Sequence, residues 1–228
     1  MLVSAEEENR EKVRQSYLAN PSFVWEKAHQ NNHPWAGENE WAVRSFHLFQ
    51  AATLIRLLIP YQKWFPAPVL HCDLGTGDGI WKREIQALFP GVVTSLGVDF
   101  APSAEGVDIL EDITSSDFSL ASPMFHLVTA INCLRHIVED SALEQALVNI
   151  HRMLRPGGFF IFSWGGAQPK KTPIWYKLRD WTDWYEKVKG AGFSGFSTHI
   201  FDAPDTFTMT RPTHLTLCRK PEQSTGSD

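Results

Sequence analysis

The sequence predicts an α/β chain: a doubly wound, mostly parallel sheet behind a helical leader. Three observations carry that prediction. From Val69 onward, apolar strand-like runs alternate with helix-like segments. The first run, VLHCDL, delivers Asp73 into the turn GTGDG, with Gly75, Gly77 and Gly79 at alternate positions. Polar residues then stand at successive strand ends, Asp99 after the second, Asp112 after the third and Asn132 after the fourth. Open parallel sheets bind ligands at these carboxyl ends, where strand order reverses.

In chain order, residues 5–19 and 39–59 read as helices. Ser4 and Glu7 have capping-box spacing, and Trp41, Leu48, Ile55 and Ile59 share one face of the second helix. Pro66 and Pro68 close this leader, residues 1–68. The core, residues 69–219, opens with VLHCDL and a helix over 80–89. VVTSLGVDF, a short link and FHLVTAIN follow. A helix over 141–154 has Ser141 and Glu144 as a capping box and Leu143, Leu147, Ile150 and Leu154 as its buried face. RPGG ends it, because proline cannot continue a helix and glycine supplies the turn into FFIFSW. A long connection, a helix near 180–190, a strand near 195–201 and a last strand HLTLCRK finish the core; residues 220–228 are expected to be a disordered polar tail.

Composition narrows the function classes. The 228 residues are 43% hydrophobic and 21% charged with a net charge of -5, which describes a globular protein and argues against nucleic acid as main partner. The acidic start MLVSAEEENREK lacks the basic and then apolar pattern of a signal peptide, and AATLIRLLI is too short for a bilayer. Cys72, Cys133 and Cys218 show no CxxC spacing, so they read as reduced thiols of a cytoplasmic protein without a metal site.

Taken alone, the glycine turn fits an ordinary tight turn, and Asp99 and Asp112 fit cap or turn chemistry. Their order along the sheet favours a ligand. A nicotinamide cofactor is the alternative for the loop. The dinucleotide fingerprint, however, spaces its last two glycines three apart, where this loop spaces them two apart.

With these motifs in place, the chain resembles the class I S-adenosylmethionine-dependent methyltransferases over roughly residues 69–219. DLGTGDG is similar to the family's first motif, which implies that Asp73, Gly75, Thr76, Gly77 and Gly79 surround the cofactor's amino acid portion. By the same resemblance Asp99 binds both ribose hydroxyls beside Phe100, Asp112 holds the adenine amino group with Ile113 against the ring, and Asn132 closes the fourth motif. RMLRPGGFFIFS resembles the fifth motif, and the last two strands resemble the family's antiparallel hairpin. The implied fold is a Rossmann-like seven-stranded sheet with an N-terminal helical cap, and the implied cofactor is S-adenosylmethionine. Tyr17 resembles the leader tyrosine that covers the cofactor. His126 departs from the family, standing where an aspartate is usual.

Methyl transfer needs alignment, exclusion of water and, for some acceptors, a base. His136, just past the fourth strand, and His33 and His29 in the leader are the candidate bases; a loop-stabilising role is the alternative for each. Trp25, Trp35, Trp164 and Trp175 fall in the two regions that cover the acceptor in this family, where they would form a pocket for an apolar or aromatic acceptor or simply pack cap on sheet. The favoured reading is O-methylation of a small molecule. N-methylation of an amine, methylation of protein or nucleic acid, and non-catalytic nucleotide binding on the same fold are the alternatives. Hydrophobic leader faces also allow a homo-oligomer.

Overall fold

In the computed structural model, residues 67–77, 79–101, 106–165, 177, 179–201 and 213–222 are described. The leader helices, Tyr17, Trp25, His29, His33, Trp35 and Trp175 lie outside these residues. Seven strands form one sheet: β1 (Val69–Leu74), β2 (Val93–Asp99), β3 (Ile109–Leu110), β4 (Phe125–Ala130), β5 (Leu154–Gly165), β6 (Ser194–Phe201) and β7 (Thr213–Arg219). Their order is β3-β2-β1-β4-β5-β7-β6. The pairs among β1 to β5 are parallel, and β7 runs antiparallel to both β5 and β6. The expected seven-stranded, mostly parallel architecture is therefore observed. Strand order reverses between β1 and β4, and this switch point places the glycine turn after β1 beside the loop after β4.

Alternation along the strands divides the core into two layers. Leu70, Cys72 and Leu74 of β1 join Val128, Ala130, Phe160 and Phe162 on one face. There they meet α2 (Asp140–Met153) through Leu143, Leu147, Ile150 and Met153, and α3 (Trp181–Gly190) through Trp184 and Val188. On the other face Val69, Leu127, Ile131, Phe159 and Ile161 pack on Trp81 and Ile85 of α1 (Ile80–Leu88). Among the described residues, no helix is long and apolar enough to cross a membrane.

Local details differ from expectation around α2. Glu139 is the residue that caps it, without a side-chain cap bond, so the Ser141–Glu144 capping box does not form. Ser141 already lies inside the first turn, and Glu144 instead accepts from Lys187 Nζ of α3 at 3.1 Å. Leu154 belongs to β5, opposite Phe125, and not to the helix face. Register then jumps to Leu127 opposite Phe159, and the RPGG residues form the irregular step between, with Gly157 at φ +76°. Residue 220 is anchored, contrary to the expected tail. Its backbone N–H donates to Gly158 O, and Lys220 Nζ donates to His151 O and Leu154 O at 2.8 and 2.7 Å. Carbonyls at the end of a helix have no partner of their own, and a lysine ammonium supplies one.

Candidate cofactor site at the strand tips

The turn after β1 is held by backbone geometry that few residues besides glycine adopt. Gly75, Gly77 and Gly79 have φ of +64°, +53° and +76°. Gly75 N and Thr76 N both donate to Val98 O of β2, at 2.8 and 3.1 Å, and Gly79 N donates to Thr76 O at 2.8 Å. Space is as restrictive as torsion at Gly75, where a Cβ would stand 2.5 Å from Cys133 Sγ. The loop is thus clamped against the segment that follows β4.

Asp73 lies under this loop. It is 1% exposed, accepting from Thr129 Oγ1 at 2.7 Å and from Thr76 Oγ1 at 3.0 Å. Burial raises its carboxyl to about 6, against the two hydroxyl donors, which pull it down. Both oxygens are therefore engaged by the protein, and Asp73 braces the loop from below.

Asp99, at the tip of β2, joins the turn after β1 to the turn after β2. Its Oδ2 accepts from Gly77 N at 3.0 Å and its Oδ1 from Ala101 N at 3.1 Å, with Phe100 N a further donor. Burial pushes its carboxyl up from the ordinary value, and these N–H groups oppose that shift. Asp112 Oδ1 accepts from Thr114 Oγ1 and Thr114 N at 2.6 and 2.9 Å, closing a turn that fixes the carboxylate at the end of β3. Ile113 packs against the core, and its carbonyl accepts from the buried Asn149 of α2 at 2.8 Å.

Asn132 has φ +56°, a left-handed backbone uncommon for a non-glycine residue. It is fixed twice by Ser163 of β5. Asn132 N donates to Ser163 Oγ at 2.6 Å, and that hydroxyl donates to Asn132 Oδ1 at 3.3 Å. Strain maintained by specific bonds is a common feature of functional sites. His136 ends a short 3-10 turn, Leu134–His136, whose geometry is set by His136 N donating to Cys133 O at 2.9 Å. The structure thus brings together, at one edge of the sheet, the glycine turn, Asp99, Asp112, Asn132 and the His136 loop.

Trp164 is 5% exposed, stacks on His214 with ring centroids 4.0 Å apart and donates its indole N–H to Thr216 Oγ1 at 3.0 Å. It belongs to the same core cluster as Trp184 and Val188 of α3. His126 preserves a bond at the position of the family aspartate, because Leu70 N donates to its Nδ1 at 3.1 Å. Sequence reasoning passed over His71, Thr129, Asn149 and Ser163. The signal was available: a strand buried on both faces of a parallel sheet should read as continuously apolar, and His71, Thr129 and Ser163 interrupt three such runs.

Residues 46–203 match the family described as methyltransferase domain, well over half of the chain. The chain belongs to the class I S-adenosylmethionine-dependent methyltransferases. Among curated relatives of this methyltransferase, the ubiquinone biosynthesis O-methyltransferase of Pseudomonas syringae pv. tomato is 33% identical over 108 residues, 43% of this chain and 45% of that protein. A highly reducing polyketide synthase 40 of Fusarium mangiferae is 27% identical over 121 residues, 45% of this chain and 5% of the synthase. The chain thus spans less than half the length of either relative. Among solved structures, the 1,6-didemethyltoxoflavin-N1-methyltransferase of Burkholderia thailandensis has a TM-score of 0.59 at 18% identity and is covered to 93% by 97% of this chain. The phosphoethanolamine N-methyltransferase 2 of Haemonchus contortus, solved with S-adenosyl-L-methionine, has a TM-score of 0.61 at 14% identity, with 97% of this chain covering 61% of it. At these identities the likeness is one of fold.

The family's cofactor, S-adenosylmethionine, fits the donor set of this methyltransferase. A carboxylate has about four acceptor sites, and the three backbone donors on Asp99 leave it capacity for a ligand hydroxyl. The turn GTGDG carries no basic residue in its sequence, which suits a ligand that carries no phosphate.

Proposed function

We propose that this methyltransferase transfers its methyl group to an oxygen of a small apolar or aromatic molecule. The observation that carries the acceptor reading is the 33% identity to an O-methyltransferase over 108 residues of the chain. S-adenosylmethionine supplies a methyl group activated by its sulfonium. In this reading Asp99 keeps an acceptor site for a ribose hydroxyl, with Phe100 beside the adenine. Asp112 accepts from the adenine amino group, with Ile113 against the ring. Gly75, Thr76, Gly77 and Gly79 give the amino acid portion close access to the backbone, braced by Asp73, and Asn132 borders the methyl. His136 takes the acceptor proton, with His33 and His29 as the alternative bases, while Trp25, Trp35 and Trp175 enclose the acceptor and Tyr17 covers the cofactor. Residues 1–68 act as the cap and 69–219 as the cofactor core. The unpaired thiols support a reducing, cytoplasmic setting, and the net charge of -5 supports a small-molecule acceptor over nucleic acid.

Calorimetry with S-adenosylhomocysteine tests the cofactor assignment. Asp99→Ala removes a charge-assisted contact worth roughly 1.5–3 kcal/mol, so affinity should fall about ten- to hundredfold with the fold retained. Unchanged affinity would refute the role of Asp99. The acceptor atom is tested by mass spectrometry of products from paired hydroxy- and amino-substituted aromatic compounds. Methylation of the amine alone would replace the oxygen reading by an N-methyltransferase.

A further inference from the structure

Behind the loop, a chain of polar groups crosses the sheet from its surface to Asp73. Half-buried Ser95 of β2 lies 2.9 Å from Nδ1 of His71, whose Nε2 lies 2.9 Å from Thr129 Oγ1. Thr129 Oγ1 then lies 2.7 Å from Asp73 Oδ1. His71 and Thr129 are both wholly buried, and neither belongs to the cofactor assignment above.

Hydrogen-bond direction along this chain is forced. An ionised Asp73 can only accept, so the one hydroxyl hydrogen of Thr129 points to it. His71 Nε2 must then donate to Thr129, and Nδ1 must accept from Ser95. When Asp73 is protonated, its hydrogen needs an acceptor, and the same chain can supply one by running backwards. Thr129 passes its hydrogen to Asp73 Oδ1, Nε2 passes its own to Thr129, Ser95 passes its own to Nδ1, and Ser95 takes one proton from solvent. Each hydroxyl ends with one hydrogen and the ring ends neutral, so the sole net change is one proton gained by Asp73. In both states Asp73 Oδ2 still accepts from Thr76 Oγ1, so the loop keeps its anchor.

We propose that His71 is a positioning residue for the cofactor loop, acting through Thr129 to keep Asp73 fully hydrogen-bonded in either charge state by switching its own tautomer. The proposal rests on the assignment of the loop to the cofactor. The charged or titratable groups that also face Asp73 are Asp99 from β2, Lys82 from α1, Cys133 from the loop after β4 and Cys72 beside it. None of these is placed in the chain of bonds from Ser95 to Asp73. Burial holds His71 at about 3, so its ring stays neutral while Asp73 titrates.

The first test is nitrogen-15 NMR of the histidine rings in the full chain between pH 7.5 and 5. The His71 signal should report the Nε2–H form at the high end and convert to the neutral Nδ1–H form as Asp73 is protonated. A ring that keeps one tautomer throughout, or that becomes imidazolium in this range, overturns the proposal. The second test is S-adenosylhomocysteine affinity at both ends of the range. Thr129→Val should weaken binding at least tenfold, with a larger loss at pH 7.5 than at pH 5, because the lost hydroxyl donor favours the ionised carboxylate. Thr129→Ser should restore the wild-type affinity and pH profile within about twofold. Equal affinity and profile for wild type and Thr129→Val would also overturn it, and the NMR measurement decides the matter if the valine variant does not fold. Wild-type protein that binds no S-adenosylhomocysteine would instead refute the cofactor assignment.

Discussion

Asp73 shows how one buried carboxyl couples loop geometry to acidity. Its folded-state value of about 6 exceeds the ordinary carboxylate value, so the folded protein binds the proton more tightly than the unfolded chain. The stabilising contribution is therefore fully present below pH 4 and is lost as pH rises through about 6. The difference amounts to about 3 kcal/mol. Urea midpoints measured from pH 4 to 7 should show a component that declines with rising pH in wild type and is absent in Asp73→Asn. An equally steep decline in the variant would assign that component to another group. At this scale the sequence was readable in type and less so in role. DLGTGDG announced an acid beside a glycine turn, but whether the acid faces ligand or braces the loop depends on Thr129, 56 positions away.

Among the elements, α2 and α3 are tied by a charge cluster around Asp140. Its carboxylate accepts from Lys177 Nζ at 2.9 Å and from Arg179 at 2.8 Å, and the guanidinium of Arg179 is wholly buried. Arg179 also donates to Val138 O at 3.1 Å, which fixes the stretch leading from the His136 turn into α2. Burial is the largest single influence on the Asp140 carboxyl and pushes it up, but the hydrogen bonds and charges of Lys177 and Arg179 together hold it down at about 2. Asp140→Asn would leave a buried cation with less compensation, at a cost of about 2–3 kcal/mol given that Asp140 itself is partly solvated. Chemical denaturation should show this loss, and Ser141→Ala, at the capping-box position that does not form, should change stability by under about 0.5 kcal/mol. Sequence periodicity placed α2 to within a residue because Leu143, Leu147 and Ile150 mark its face. Its cap was misassigned, because Glu144 is drawn to a lysine that lies 43 residues further along.

For the molecule as a whole, ligand binding should appear as added stability. S-adenosylhomocysteine at a hundred times its dissociation constant adds about 2.7 kcal/mol, which for a chain of this size raises Tm by roughly 5–10 °C. Thermal denaturation of wild type and Asp99→Ala at the same ligand concentration checks this, with a clearly smaller shift expected in the variant. The mostly parallel sheet was legible because alternating runs permit few parallel topologies, and the fifth motif located β5. Less legible was the polar layer inside the sheet, since Ser95, His71, Thr129 and Asp73 become neighbours only once β2, β1 and β4 stand side by side.

Among the substituted positions, His126 has a separate consequence at the far end of β1. Backbone pairing between β1 and β4 begins at His71 and Leu127, so the imidazole supplies a rung before the ladder starts. An aspartate there would accept until strongly acid conditions, whereas a ring nitrogen stops accepting once protonated. Burial, with Arg155 nearby, keeps this ring neutral to lower pH than an ordinary histidine, so the rung holds through neutrality and fails as acidity passes that lowered value. Acid below the ordinary histidine range should therefore loosen the heel of the first strand, speeding hydrogen exchange at the Leu70 amide.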